Sequence, residues 1–245
     1  MPTMNYRRKS GMRVKGVTTI LGCLAKPALV PWGYSQGLEN YARVTEGIAK
    51  MIAEGAEDPN VLLGHIMQYL QEFQIGSLYE KRDKAADAGT LGHALVECDI
   101  KGLPAPDMKD VPKDIRQKAE GCFLSYLEWK DTTKFKLIHS EIPLVSEVHG
   151  FGGCLDIGGE ARSLELIDLK TSKGIYWSMW CQVAGYGILW NENHPDNPIQ
   201  GYNILCIKPD GGFAHERKTD LSDEMEVFLH LNSIQKVLDK KGIKL

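Results

Sequence analysis

The segment Leu164-Glu165-Leu166-Ile167-Asp168-Leu169-Lys170 constrains this chain more than any other, because it alternates like a strand yet carries an aspartate and a lysine two positions apart. Successive side chains on a strand point to opposite faces, so Asp168 and Lys170 project from the same side. Apolar neighbours place that strand partly inside a core, where a carboxylate and an ammonium need partners or a metal ion to offset their desolvation. A structural ion pair at a strand end meets that need as well as a reactive site does.

The remaining pattern supplies the elements around this strand. Apolar residues recur at helical spacing from Ser35 to about Glu54 and again from Val61 to Phe73. Gly76 to Asp87 is polar, and Gly89-Thr90 then offers an N-cap for a helix carrying His93 and Glu97, stopped by Gly102 and Pro104. Another helix is predicted over Asp114 to Trp129. After Thr133 the texture changes. Lys136 to Val145 and Gly150 to Ile157 alternate as strands, Gly158-Gly159 breaks the pattern, and Leu164 to Lys170 alternates again. A helix from about Tyr176 to Trp190, a strand over Tyr202 to Ile207, a Pro209-Asp210-Gly211-Gly212 turn, a short strand and a helix from Ser222 to Lys240 complete the chain. This order predicts an α/β (α+β) fold with a central mixed sheet flanked by helices. The expected organisation is a basic arm over 1–16 and a single domain over 17–245, of which about 17–88 is a helical elaboration.

Composition narrows the class. Hydrophobic residues make up 43% and charged residues 25%, as in an ordinary globular chain. No apolar run reaches the roughly 18 residues that span a bilayer, and the start lacks the apolar stretch of a secretory signal, so a cytoplasmic protein without a membrane partner is expected. Six cysteines without a CxxC pair predict reduced, packed thiols rather than disulfides or structural zinc. A net charge of -3 does not advertise a nucleic-acid binder, although carboxylates gathered at a metal would lower it and basic residues can be local. Arg7, Arg8, Lys9, Arg13 and Lys15 precede any acidic residue, and they read as a solvated, frayed terminus or as a DNA contact, with a mitochondrial transit segment disfavoured because Val17-Thr18-Thr19-Ile20-Leu21 already reads as ordered.

Asp156 raises the interest of the Asp168 strand. A turn centred near Ala161 puts Cys154 opposite Asp168 and Asp156 opposite Leu166, which makes the two aspartates diagonal neighbours on one face. Two carboxylates so placed repel unless a cation sits with them, and Mg²⁺ or Mn²⁺ suits oxygen ligands. Phe151-Gly152-Gly153 upstream allows a close backbone approach, or simply a bulge. Gln182 and Tyr186, four apart, share a face of the following helix, where they could orient a carboxylate or serve only packing. His93 and Glu97 are spaced alike and could be a surface pair.

Taken in order, Gly89-Thr90-x-x-His93-x-x-x-Glu97, Gly150-Phe151-Gly152-Gly153-x-x-Asp156, Ile167-Asp168-x-Lys170-Thr171 and Gln182-x-x-x-Tyr186 resemble the RecB-type branch of the PD-(D/E)XK nuclease superfamily. Val17-Thr18-Thr19-Ile20-Leu21 with Lys26-Pro27-Ala28-Leu29 and Trp32 further resembles phage exonucleases of this branch and the mitochondrial genome maintenance exonuclease. The match runs from about residue 17 to 207. Each motif alone is weak, whereas their order and spacing together are specific. Leu155 replaces the proline of the eponymous motif, and Asp168 stands where many members have Glu.

The resemblance implies a restriction-endonuclease-like sheet and a metal-dependent phosphodiester hydrolase acting on DNA in replication, recombination or repair, with an exonuclease on single-stranded ends favoured over an endonuclease. It implies that His93, Asp156, Asp168 and the Leu169 carbonyl hold Mg²⁺ or Mn²⁺, that Lys170 is catalytic, that Gln182 and Tyr186 are the helix motif, and that Glu141 matches a strand acid of less defined role. A host-cytoplasmic location follows if the chain is phage-encoded, and a recombination or single-strand-binding protein is a conceivable partner. The cysteine trio that holds an iron-sulfur cluster in some relatives is missing, so no cluster is expected. Two other classes remain open: a non-catalytic DNA-end-binding or recombination protein with the same fold, and a small-molecule hydrolase with the same carboxylates.

Overall fold

The structure, a computed structural model, describes residues 5–24, 29–55, 58–72, 76–133, 135–160, 163–172 and 174–243. The chain divides into two compact units, Ala25–Asp87 and the combination of Met1–Leu24 with Ala88–Leu245. The first contains α2 (Leu29–Ala53) and α3 (Pro59–Glu72), and α4 (Gly76–Lys101) begins in it. The second contains α1 (Val17–Ile20), the rest of α4, α5 (Lys113–Thr132) and every described strand.

Helix α4 corrects one expectation. It starts at Gly76, so Thr90 lies inside the helix rather than capping it. The run Glu80-Lys81-Arg82-Asp83-Lys84-Ala85-Ala86 has no apolar stripe, but Glu, Lys, Arg and Ala are strong helix formers, and propensity carries the helix where hydrophobic spacing is silent.

Among the described residues the sheet has five strands in sequence order: β1 (Lys136–Ser146), β2 (Phe151–Glu160), β3 (Leu164–Lys170), β4 (Gly201–Ile207) and β5 (Phe213–Lys218). Neighbours are antiparallel except β3 and β4, which are parallel and joined by α6 (Trp177–Asn193), a crossover requiring a helix. This is the mixed sheet flanked by helices that the sequence predicts. Gly158 and Gly159 do not break β2: they pair with Leu166 and Glu165, since the ladder uses backbone groups, and the missing side chains leave room for His139 and Phe135. The β2–β3 pairing, Ile157 with Ile167 and Glu160 with Leu164, lies two residues from the expected one. Alternation fixes which face a residue occupies, but a two-residue shift preserves that face.

Two apolar layers cover the sheet. Leu155, Leu166, Ile204 and Cys206 pack beneath α6 and α7 (Ser222–Lys241) with Trp180, Leu189 and Phe228. Ile157, Ile167, Leu169, Leu205 and Ile207 pack against Val96 of α4 and Cys122, Tyr126 and Trp129 of α5. On this second side the buried Glu165 carboxylate receives both Nε and Nη2 of Arg217 (2.7–3.1 Å) and Nδ2 of Asn203 (2.9 Å), and Asn203 Oδ1 meets His215 (2.9 Å). All six cysteines are free thiols, four of them buried. No helix among the described residues is long and apolar enough to cross a membrane.

Residues 6–15 of the basic arm are neither frayed nor loose. Arg8 N–H donates to Met12 O (2.9 Å) and Val14 N–H to Tyr6 O (3.0 Å), closing a small hairpin. Arg8 and the Lys9 N–H both engage Glu147, holding that carboxyl below its ordinary range, and Gly152 N–H donates to Lys15 O (2.9 Å). The predicted Lys26-Pro27-Ala28 segment lies outside the described residues.

Candidate active site

The site forms where β3 ends. The β1–β2 register, with Ser140 opposite Ile157 and Ile142 opposite Leu155, brings Glu141 level with Asp156. Beyond the Ile157–Ile167 pair, β2 bonds β3 through a side chain: the Asp156 carboxylate accepts the Leu169 N–H at 2.9 Å. Carboxylates from three adjacent strands, Glu141 and Asp156 at mid-strand and Asp168 near the end of β3, thus come together. Glu141 reaches this position with φ = 54°, a conformation that costs a non-glycine residue roughly 1–3 kcal/mol and recurs at functional sites.

Helix α4 delivers His93. A Cβ at Gly89 would stand 2.7 Å from Thr171 Oγ1, so the glycine is what lets the helix lie this close to the end of β3. One ligand atom each from His93, Glu141 and Asp156 lie within 4.8 Å of one another. Burial, reinforced by Lys170, lowers the His93 pKa to about 4, leaving a neutral imidazole with a lone pair at physiological pH.

Asp168 is fully buried and faces Lys170, whose Nζ is 2.6 Å from its Oδ2. That oxygen accepts no well-angled hydrogen bond, and Oδ1 has only a long one, 3.4 Å, from Gln182 Nε2. Burial, opposed by Lys170 and assisted by Asp156, raises the Asp168 pKa to about 6, and burial raises Asp156 as well. Glu141 is raised by burial and by Asp156. Burial works against the Lys170 charge, yet Asp168 and Asp156 hold the ammonium above its ordinary range. From α6, Gln182 Nε2 also donates to Tyr186 Oη at 2.9 Å, and burial keeps that phenol protonated.

An under-satisfied buried carboxylate beside a neutral imidazole and two further carboxylates is a donor set that fits a divalent cation. The sequence candidates His93, Asp156, Asp168, Lys170, Gln182 and Tyr186 are gathered together, with the Leu169 backbone between the aspartates. Two features differ from expectation. Glu141 joins the tight cluster with His93 and Asp156, whereas Asp168 is turned to Lys170. Glu97 pairs with Lys101 on the same helix rather than with His93, and its charge acts on Glu141. Sequence reasoning missed Tyr6, whose ring packs on Gly152: a Cβ there would fall 2.4 Å from the ring. Burial, with Cys154 and Glu141 nearby, pushes the Tyr6 hydroxyl up to about 12. Only the glycine pair at 152–153 hinted at such a close approach.

No family model matches the chain, and no curated protein matches it either. Among solved structures it is similar to SSO0001 (19% identity, TM-score 0.34, covering 52% of this chain and 61% of that one). It is also similar to a candidate exonuclease from Eubacterium rectale (14%, 0.44, 64% and 69%) and to an alkaline exonuclease from Laribacter hongkongensis (15%, 0.32, 48% and 68%). At such identity and overlap, the chemistry has to be read from the site itself.

Proposed function

We propose that this chain is a metal-dependent DNA nuclease of the PD-(D/E)XK type, RecB-like branch, and that it acts as an exonuclease on single-stranded ends. One observation carries the reading: ligand atoms of His93, Glu141 and Asp156 within 4.8 Å of one another, beside a buried Asp168 paired at 2.6 Å with Lys170. Hydrolysis of a phosphodiester needs an activated water and positive charge at the developing phosphorane.

His93, Asp156 and Asp168 would hold Mg²⁺ or Mn²⁺ with the Leu169 carbonyl, and Glu141 is positioned to join them. A cation bound there supplies Lewis acidity and acidifies a water. The nitrogen donor favours Mn²⁺ at least as much as Mg²⁺. Lys170 holds a proton-rich ammonium where it can orient the attacking water or neutralise charge on the phosphoryl oxygens. Gln182 steadies Asp168 through its amide, and the Tyr186 hydroxyl fixes the rotamer of that amide.

The test is release of nucleotides from end-labelled linear and from circular single-stranded DNA, with Mg²⁺, with Mn²⁺ and with EDTA. Metal-dependent loss of the linear substrate alone is expected. Cleavage of circles would make the protein an endonuclease, and binding without turnover in either metal would leave only a DNA-end-binding role.

A further inference from the structure

The five basic residues of the N-terminal arm play no part in the site just described. Three of them, Arg8, Arg13 and Lys15, form one wall of a groove with a cavity volume of about 620 Å³. The opposite wall is α7, with Asn232, Gln235 and Lys236, and the floor includes the β1–β2 turn at His149 and Gly150. Four cations, Arg8, Arg13, Lys15 and Lys236, line it against a single carboxylate, Asp239. Lys15 pairs with Asp239 of α7 (3.3 Å), and Arg8 with Glu147 (3.3 Å). Among the described residues Arg13 and Lys236 have no acidic partner, and both are exposed. Lys236 gives one ammonium proton to His149 O (2.6 Å), which leaves two.

The groove is built rather than incidental. Glu192 of α6 accepts the N–H groups of Glu147 and Val148 (2.7 and 3.0 Å), Asn232 donates to His149 O (2.9 Å), and the hairpin is bonded to β2 at Gly152. Its inner end adjoins the site: Gly16 lines the groove and touches the Tyr6 ring, which in turn packs on Gly152 next to the Cys154–Glu141 pair.

We infer that this groove binds the phosphodiester backbone of a single-stranded nucleic acid away from the reacting bond, with Arg13 and Lys236 each taking a phosphate oxygen. The inference rests on the nuclease reading and extends it to a second contact area. A concave, amide-bearing groove matches a charged strand better than a flat bilayer surface, and exposed Met12 and Val148 offer apolar area beside it for a base. Charge-assisted bonds from such cations release counterions, so the contact has a measurable salt signature.

The experiment uses the full chain and the double variant Arg13→Gln, Lys236→Gln. Affinity for a labelled single-stranded oligonucleotide that overruns the site is measured by anisotropy in EDTA at a series of salt concentrations. Each lost phosphate contact should reduce the slope of log K against log salt by about 0.7, so the double variant should lose about 1.4. Turnover of a trinucleotide, too short to reach the groove, should be unchanged in Mn²⁺, and KM for the long strand should rise. Equal slopes for wild type and variant overturn the inference while leaving the nuclease reading intact. A wild type that neither binds nor cuts DNA overturns both. Co-sedimentation with phosphatidylserine vesicles that vanishes in the variant, with the DNA slope unchanged, would assign the groove to a lipid surface instead.

Discussion

The buried pair Asp156 and Asp168 makes the stability of the metal-free protein depend on pH in a specific direction. Asp168 titrates at about 6 against an ordinary 3.8. A raised acid pKa means that the folded chain binds a proton more tightly than the unfolded one, so the contribution of Asp168 to stability is fully present below 3.8 and is lost as pH rises through about 6. That interval corresponds to about 3 kcal/mol, which in EDTA should disappear progressively between pH 4 and pH 6. On the proposed function a divalent cation would replace the proton above pH 6. At a hundred times its Kd it adds about 2.7 kcal/mol, or about 5–11 °C in Tm for a chain of this size. Differential scanning fluorimetry with EDTA, Mg²⁺ and Mn²⁺ at pH 5 and pH 7.5 reads this directly, with Asp168→Asn as the variant that cannot titrate. A metal shift equally large at both pH values, or undiminished in Asp168→Asn, would refute the reasoning.

Lys170→Ala and Asp168→Asn should each lower the cleavage rate at least about a hundredfold while far-UV circular dichroism stays native, because they remove charge from the reacting centre. Gln182→Ala and Tyr186→Phe should slow single-turnover cleavage by about ten- to a thousandfold with little change in Tm; wild-type rates in both would remove α6 from the chemistry. Arg217→Ala strands the Glu165 carboxylate inside the sheet and should cost about 3–5 kcal/mol in urea unfolding, with metal affinity by calorimetry unchanged. Glu141→Gln should weaken Mn²⁺ binding measured in the same calorimeter; an unaltered isotherm would leave Glu141 outside the metal set.

Much of the site could be read from residue order because its members sit on elements with clear periodicity. Asp168 and Lys170 share a face by strand alternation alone, and Gln182 and Tyr186 meet by the helical repeat. Glu141 was named, but its place beside His93 and Asp156 was not legible, since it depends on the pairing of β1 with β2 and on a left-handed backbone that no local signal announces. The register of Asp156 was not legible for a related reason: no local signal fixes the length of the β2–β3 connection. The full extent of α4 was hidden because a polar helix leaves no hydrophobic stripe. Tyr6 lies far from the site in sequence and reaches it only through contacts of the folded hairpin with β2.

The network around Glu165 has a consequence for how the sheet chooses one pairing over its neighbours. A one-residue slip of β3 against β4 would turn buried side chains to the wrong layer and is heavily penalised, but a two-residue slip would leave every apolar residue on its proper side. In that slipped sheet Glu165 would no longer face Asn203 and Arg217, and a carboxylate with almost no solvent contact would be left without donors. Hydrophobic patterning thus selects the layer, while a polar cluster on the side of the sheet remote from Gln182 selects the alignment. The level at which Asp168 and Lys170 emerge is therefore set in part by residues on the other face of the sheet.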